Sequence, residues 1–346
     1  MTTALPFARR SRSGVHRLRD FRRDSRKTRT RTGVIYNPRA TANVGRAPLR
    51  AIDVPCAVPS TREELVDALA DFARREVGTV AVSGGDGTVR DVLTALPKAY
   101  GDAPLPEISI IASGRTDLIA DDVGAQGRPD ELARLLAATK NGTLRKTRRP
   151  ILQVNRLMDT EGNVRRRVRG LLLGGAAFAY ATKLGQGEIH ATGASHTKAV
   201  AMTLATVLQR VLLQGDPDGL RRGQATRLHV DGKADTQGDD ARRALFLISG
   251  LRNEFVVGRS PFWGAVREDQ LQFLDVAAPT KGVARAFAAL AARRPWLAGP
   301  GWNSGSAREI EVETTGEIVI DGELFTPLPG HAMRITACAP MTFVAP

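Results

Sequence analysis

Residues 80–88 constrain the chain more than any other stretch. The apolar run Val80-Ala81-Val82 leads into Ser83-Gly84-Gly85-Asp86-Gly87-Thr88, and a helical pattern follows over 89–96. A strand, a glycine turn and a helix N-terminus together make a phosphate-binding corner. Glycines let the backbone approach a phosphate closely, and the N–H groups of the first helical turn point at it. A carboxylate in such a loop repels phosphate, so Asp86 must hold a metal ion, orient a donor or accept a proton. That combination points to a nucleotide-using transferase. The plainer alternative is a tight strand-to-helix turn capped by Asp86, but two Gly, Asp, Gly and Thr are more than a turn requires. No Gly-Lys-Ser/Thr follows, so this is not a P-loop, and the spacing is not the dinucleotide G-x-G-x-x-G.

The surrounding pattern alternates strands and helices. A strand over 33–36 ends at Asn37-Pro38. A helix over 63–76 places Leu65, Ala68, Leu69 and Phe72 on one face, with Thr61 as cap and Glu64 three residues on. Strands at 79–82 and 108–112 and a helix at 130–139, closing near Asn141-Gly142, continue the alternation. This implies a parallel, doubly wound sheet, whose ligands sit at the carboxyl ends of the strands. Residues 84–88 and 113–115 fall there. After about residue 145 the texture changes to strands at 151–158, 164–173, 225–230, 244–249, 309–312, 317–320 and 333–336. Helices at 197–213 and 282–294 interrupt them, and 215–223 and 231–240 read as surface loops. A length of 346 residues fits about two domains.

The net charge of +14 is concentrated at one end. Residues 1–31 hold eleven Arg or Lys against Asp20 and Asp24, a net of +9. Leu5, Phe7, Val15, Leu18 and Phe21 are scattered among them. Such an arm suits an anionic membrane surface, nonspecific nucleic acid, a transit peptide or a solvated tail. No apolar run approaches the roughly 18 residues of a membrane span. Cys56 and Cys338 lie far apart without metal-ligand spacing, which fits a reducing compartment.

The glycine loop resembles the GGDGT motif of the diacylglycerol-kinase-type lipid kinases, which include sphingosine and ceramide kinases. NAD kinases and phosphofructokinases carry related loops. The landmarks run in family order over about 33–346: Asn37-Pro38, the loop at 84–88, Gly114-Arg115-Thr116-Asp117-Leu118 in place of G-T-x-N-D, Gly174 to Tyr180 in place of a G-x-G-x-D-A turn, Gly258-Arg259-Ser260-Pro261 with Leu274-Asp275, and Asp321-Gly322-Glu323. The resemblance implies a doubly wound nucleotide-binding α/β domain over 32–148 and a β-rich, sandwich-like lipid-binding domain over 149–330. Residues 331–346 form a last strand returning to the first domain, and 1–31 a basic arm.

By the same resemblance the chain is an ATP- and Mg²⁺-dependent lipid kinase, cytoplasmic and peripheral to the membrane, that phosphorylates a hydroxyl of diacylglycerol or a ceramide/sphingoid lipid. No specific nucleic-acid partner is expected. Asn37, Gly84, Gly85, Gly87, Thr88, Gly114, Arg115 and Thr116 hold the nucleotide. Asp86 and Glu323 are catalytic, Glu323 accepting the hydroxyl proton, and Asp86, Asp117 and Asp321 are candidate metal ligands. An NAD kinase and a catalytically weakened nucleotide- or lipid-binding homologue are the alternatives. Leu118 and Ala179, which stand where the family has carboxylates, favour the last. Alone, Asp321-Gly322 also reads as a hairpin turn. His190 and His196 read as solvated loop residues, Arg165 to Arg167 as a solvated hairpin edge, and Phe262, Trp263, Trp296 and Trp302 as core packing or a membrane rim. The helix at 283–294 is either a membrane contact or an ordinary packed helix.

Overall fold

The computed structural model describes residues 31–49, 51, 53–185, 222–234, 241–252, 260–279 and 301–346. The helices expected at 197–213 and 282–294, with His190, His196, Gly258, Arg259, Trp296 and arm residues 1–30, lie outside the described residues.

The first half is built from β1 (Arg31–Tyr36), β2 (Cys56–Ala57), α1 (Arg62–Arg74), β3 (Val77–Gly84), α2 (Asp86–Tyr100), β4 (Glu107–Ala112), α3 (Leu118–Val123) and α4 (Glu131–Asn141). Strands β2, β1, β3 and β4 lie side by side in parallel. Side-chain alternation sorts the strands between two cores. Ile35, Val80 and Val82 pack with α1 and α2 through Leu69, Phe72 and Leu93. Val34, Tyr36 and Ala81 pack on the other face with Leu132 and Leu135 of α4. Helices on both faces of a parallel sheet make this half doubly wound. Thr61 caps α1 by accepting from the Glu64 N–H at 3.1 Å, and the Glu64 carboxylate reaches back to the Ser60 N–H at 2.7 Å. Gly142 closes α4 in the left-handed region.

The second half is strand-rich: β5 (Arg145–Met158), β6 (Val164–Gly170), β7 (Leu172–Ala176), a short α5 (Ala177–Leu184), β8 (Gln224–Val230), β9 (Arg242–Ser249), β10 (Leu271–Ala277), β11 (Trp302–Ala307), β12 (Glu309–Thr314), β13 (Ile318–Ile320), β14 (Glu323–Pro327) and β15 (Met333–Ala345). Strands β13, β7, β9, β10 and β11 run antiparallel in one layer. Strand β5 pairs β6 and β15, and β15 also pairs β12. Leu152, Val154 and Ile335 meet Leu173, Phe246 and Ile248 in the core between the layers.

Strand β15 joins the two halves. It pairs β5 antiparallel from Ile335 to Ala345, and its Phe343 sits parallel beside Ile108 of β4. Strand β5 runs through residue 148, where the sequence reading divides the chain.

The single strand expected at 164–173 is two strands. At Leu171 the chain leaves β5 and crosses to the other layer as β7. At that point the N–H groups of Leu171 and Leu172 donate to the Asp321 carboxylate. Gly170 gives that carboxylate room, since a Cβ there would lie 2.4 Å from Asp321 Oδ2.

Candidate active site

The loops after β1, β3 and β4 meet at the carboxyl edge of the parallel sheet. The Asn37 N–H donates to the Ser83 carbonyl at 2.9 Å, and Asn37 Nδ2 donates to Thr88 Oγ1 at 2.8 Å. Buried Asn43 donates to the Asn37 carbonyl at 2.8 Å and to Ser83 Oγ at 3.1 Å. Gly85 is the N-cap of α2 and offers no side chain to cap it. The first-turn amides of a 15-residue helix thus face the edge where these loops converge.

Three of the glycines are required by contact, Gly84 because a Cβ there would lie 2.5 Å from Thr88 Cβ. Gly85 and Gly114 press backbone against backbone: a Cβ on Gly85 would lie 2.8 Å from Gly114 Cα, and one on Gly114 would lie 2.6 Å from Gly85 Cα. Gly87 differs, because a Cβ there would meet only Arg90 Nη2, at 3.9 Å.

Asp86 opens α2, and its carboxylate accepts the N–H groups of Leu118 at 3.1 Å and Ile119 at 3.0 Å. It therefore caps α3, a helix other than its own. Asp117, in the left-handed region at φ 49°, accepts the Gly114 N–H at 2.9 Å. Leu118, where a carboxylate was expected, contributes its backbone to Asp86. Burial pushes the Asp86 carboxyl up to about 6. The two amide bonds oppose that shift, and the Asp117 and Asp121 charges add to it. Arg115 is exposed, with no hydrogen bond or ion pair to the described residues. Thr116 follows it, partly buried.

The opposite wall is the β13–β14 hairpin. Its turn residues, Asp321 (φ 45°) and Gly322 (φ 83°), are both left-handed, the signature of a tight two-residue hairpin. Asp-Gly is a turn, as its hairpin reading has it, and the Glu323 that follows pairs with Arg90 of α2. Asp321 points inward to Leu171 and Leu172. Burial pushes it up to about 7; those amides and Arg90 oppose the shift, while the Asp86 charge adds to it. Glu323 is ion-paired to Arg90 and reaches Arg62 at 3.8 Å. As proton acceptor it therefore competes with two guanidiniums for its own oxygens.

Among the described residues, no three His, Cys, Asp or Glu side chains cluster as a metal site. Magnesium commonly takes one or two carboxylates and completes its shell with water and phosphate. Asp117 lies close enough for its charge to act on Asp86, and one such pair of carboxylates meets that requirement. Asp321 stands apart from it, committed to backbone amides.

The pattern reading missed Arg90 and Asn43. A signal was available for Arg90. Asp86, Arg90 and Thr94 recur every four residues, and all three bond outward from α2: to α3, to the hairpin, and to the Arg169 N–H at 2.9 Å. A polar stripe on an otherwise apolar helix marks a face packed on polar structure. Other candidates fall elsewhere. Asp275 is ion-paired with buried Arg243 in the strand-rich half. Ala179 is buried in α5. Phe262 is buried, and Trp263 and Trp302 pack against its cluster. Arg165 is partly buried 3.8 Å from Asp159, while Arg166 and Arg167 are exposed.

The raised carboxyls make a stability prediction. Asp321 unfolded has the ordinary value of 3.8 and folded about 7. The folded state therefore keeps its proton longer, and this group costs stability progressively as pH rises from about 4 to about 7. Asp321→Asn removes that cost, so its thermal midpoint should gain on wild type across this window. A constant difference between the two would count against the burial argument.

Residues 31–147 match the family model described as the diacylglycerol kinase catalytic domain. No curated protein matches the chain. Two crystal structures from Bacillus anthracis str. Sterne, one described as a putative diacylglycerol kinase and the other as a diacylglycerol kinase, share the fold. Their TM-scores are 0.58 and 0.56 at 16% identity, covering 92% of this chain and 97% of theirs. A yeast NADH kinase complexed with NADH reaches a TM-score of only 0.41 at 9% identity, covering 91% of this chain and 83% of its own.

Proposed function

We propose, from the diacylglycerol kinase catalytic domain carried by residues 31–147, that this ATP-dependent kinase transfers the γ-phosphoryl group to the hydroxyl of a membrane lipid. A diacylglycerol is the first acceptor to test, and a ceramide or sphingoid base the second. One observation carries the reading: the Asp86 helix starts between the glycine loops on one side and the Asp321–Glu323 hairpin on the other. Donor and acceptor sites thus share one helix end.

Phosphoryl transfer is chiefly positioning and charge stabilisation. The amides of residues 84–88 receive the phosphates, Asn37 fixes Thr88 beside them, and Arg115 supplies a solvent-facing cation. Asp86 and Asp117 would hold magnesium, which would supply charge neutralisation at the phosphate oxygens. The acceptor oxygen bonds to the γ-phosphorus as the bond to the β-phosphate oxygen breaks, releasing ADP. Glu323 orients the hydroxyl, and Asp86, raised to about 6, takes its proton near neutral pH. No described helix is long and apolar enough to cross a membrane, and the basic arm 1–31 supplies a surface for anionic headgroups.

The test is label transfer from Mg-ATP to micelles carrying diacylglycerol, ceramide, sphingosine or undecaprenol, with NAD as a soluble control. One labelled lipid, lost in Asp86→Ala, supports the reading and names the acceptor. Label on NAD, or on no acceptor, overturns it.

A further inference from the structure

Arg90 is a charged side chain only 2% exposed, on α2, one turn beyond Asp86. A guanidinium taken out of water is costly unless its donors are met. Its partners come from both ends of the chain. Asp91 pairs with it at 2.9 Å from the same helix, and Glu323 pairs with it from the head of β14. Nη1 donates to the Ile320 carbonyl at 3.4 Å, and the guanidinium carbon lies 5.5 Å from the centroid of the Phe325 ring. Ile320, Glu323 and Phe325 bracket the hairpin turn, so one side chain grips it on both strands.

We infer that Arg90 is the positioning residue that locks the Asp321–Glu323 hairpin, and with it the Glu323 carboxylate, in register with the glycine loop. The kinetic consequence rests on the phosphoryl transfer proposed above; the structural one does not. Among the described residues Glu323 has one other cationic partner, Arg62, at 3.8 Å and 38% exposed. An exposed pair at that range is screened and weak, so it does not hold the carboxylate once Arg90 is gone. Lysine keeps the charge but lacks the fork that reaches Asp91, Glu323 and Ile320 together.

The experiment uses the full chain with Arg90→Met and Arg90→Lys, read by amide hydrogen exchange and by kinetics. In Arg90→Met, exchange over 318–327 should quicken while β3 keeps wild-type protection. The kcat should fall roughly 10²-fold, the scale of an ångström-sized misplacement, with little change in KM for ATP. Adding Glu323→Gln to Arg90→Met should bring no further loss, because Arg90 acts through that carboxylate. Arg90→Lys should fall between wild type and Met on both readouts, and it carries the test alone if the Met variant does not fold. Unchanged exchange in the hairpin, or losses that multiply in the double variant, overturns the inference. If the wild type labels no lipid, the proposed reaction fails, while the exchange result still decides whether Arg90 holds the hairpin.

Discussion

Asp86→Asn should lower phosphoryl transfer on the order of 10³-fold while leaving ATP binding nearly intact. The size follows from removing a positioned proton acceptor. The substitution keeps the side-chain volume and one carbonyl oxygen. That oxygen can still accept from Leu118 or Ile119, the two amides that Asp86 now satisfies. The other amide loses its acceptor, at a cost of about 1–3 kcal/mol. A lowered thermal midpoint is therefore expected, and it must be separated from the catalytic loss. Measuring the melt, ATP affinity and single-turnover transfer on one preparation does so. A folded, ATP-binding, inactive variant supports the role of Asp86 in the chemical step. Retained turnover would reduce it to the structural cap of α3.

The same residue shows what the sequence made legible. The glycine loop could be read because everything it needs is local: a buried strand, glycines at the turn, and a helix start within nine residues. The α/β half was legible for the same reason, since its periodicities are short and its caps, Thr61 and Gly142, sit where pattern rules put them. Asp86 could be singled out, but its partners could not. The amides it holds belong to α3, a six-residue helix too short to show a period.

The strand-rich half hid more. Strand β11, Trp-Asn-Ser-Gly-Ser-Ala, has almost no apolar alternation. Its Ser304 hydroxyl instead donates to the Phe273 carbonyl at 2.7 Å and accepts the Trp263 N–H at 3.1 Å. The break at Leu171 depends on a carboxylate 150 residues away. Arg90 is the extreme case: its stripe with Asp86 and Thr94 marks a polar face, but the partner on that face is a hairpin 230 residues later. Local chemistry was therefore readable, while the side-chain contacts joining the two halves were not.

The glycines give the second large effect. Gly114→Ala should abolish nucleotide binding, and Gly87→Ala should weaken it without loosening the fold. A Cβ on Gly114 would lie 2.6 Å from both Gly85 Cα and Asp117 Oδ1. One of those atoms is backbone, so the strain cannot be relieved by turning a side chain. The loops after β3 and β4 must separate, and Asp117 loses its hold on the Gly114 N–H. Overpacking of this kind costs about 1–3 kcal/mol, and the amides of residues 84–88 lose their shared direction. Gly85→Ala strains the same contact, so the double variant should be little worse than either single one. Gly87 separates packing from binding. Its added methyl meets nothing closer than Arg90 Nη2 at 3.9 Å, so the melt should match wild type. Where a phosphate lies against the Gly87 backbone, that methyl occupies its place, and ATP affinity should drop. Isothermal titration with ATP, run beside thermal melts of Gly87→Ala and Gly114→Ala, reads both effects. Unchanged affinity in Gly87→Ala would mean that the phosphates do not approach the loop there. The glycine pair would then be a packing device, and the donor site would have to lie elsewhere on the same edge.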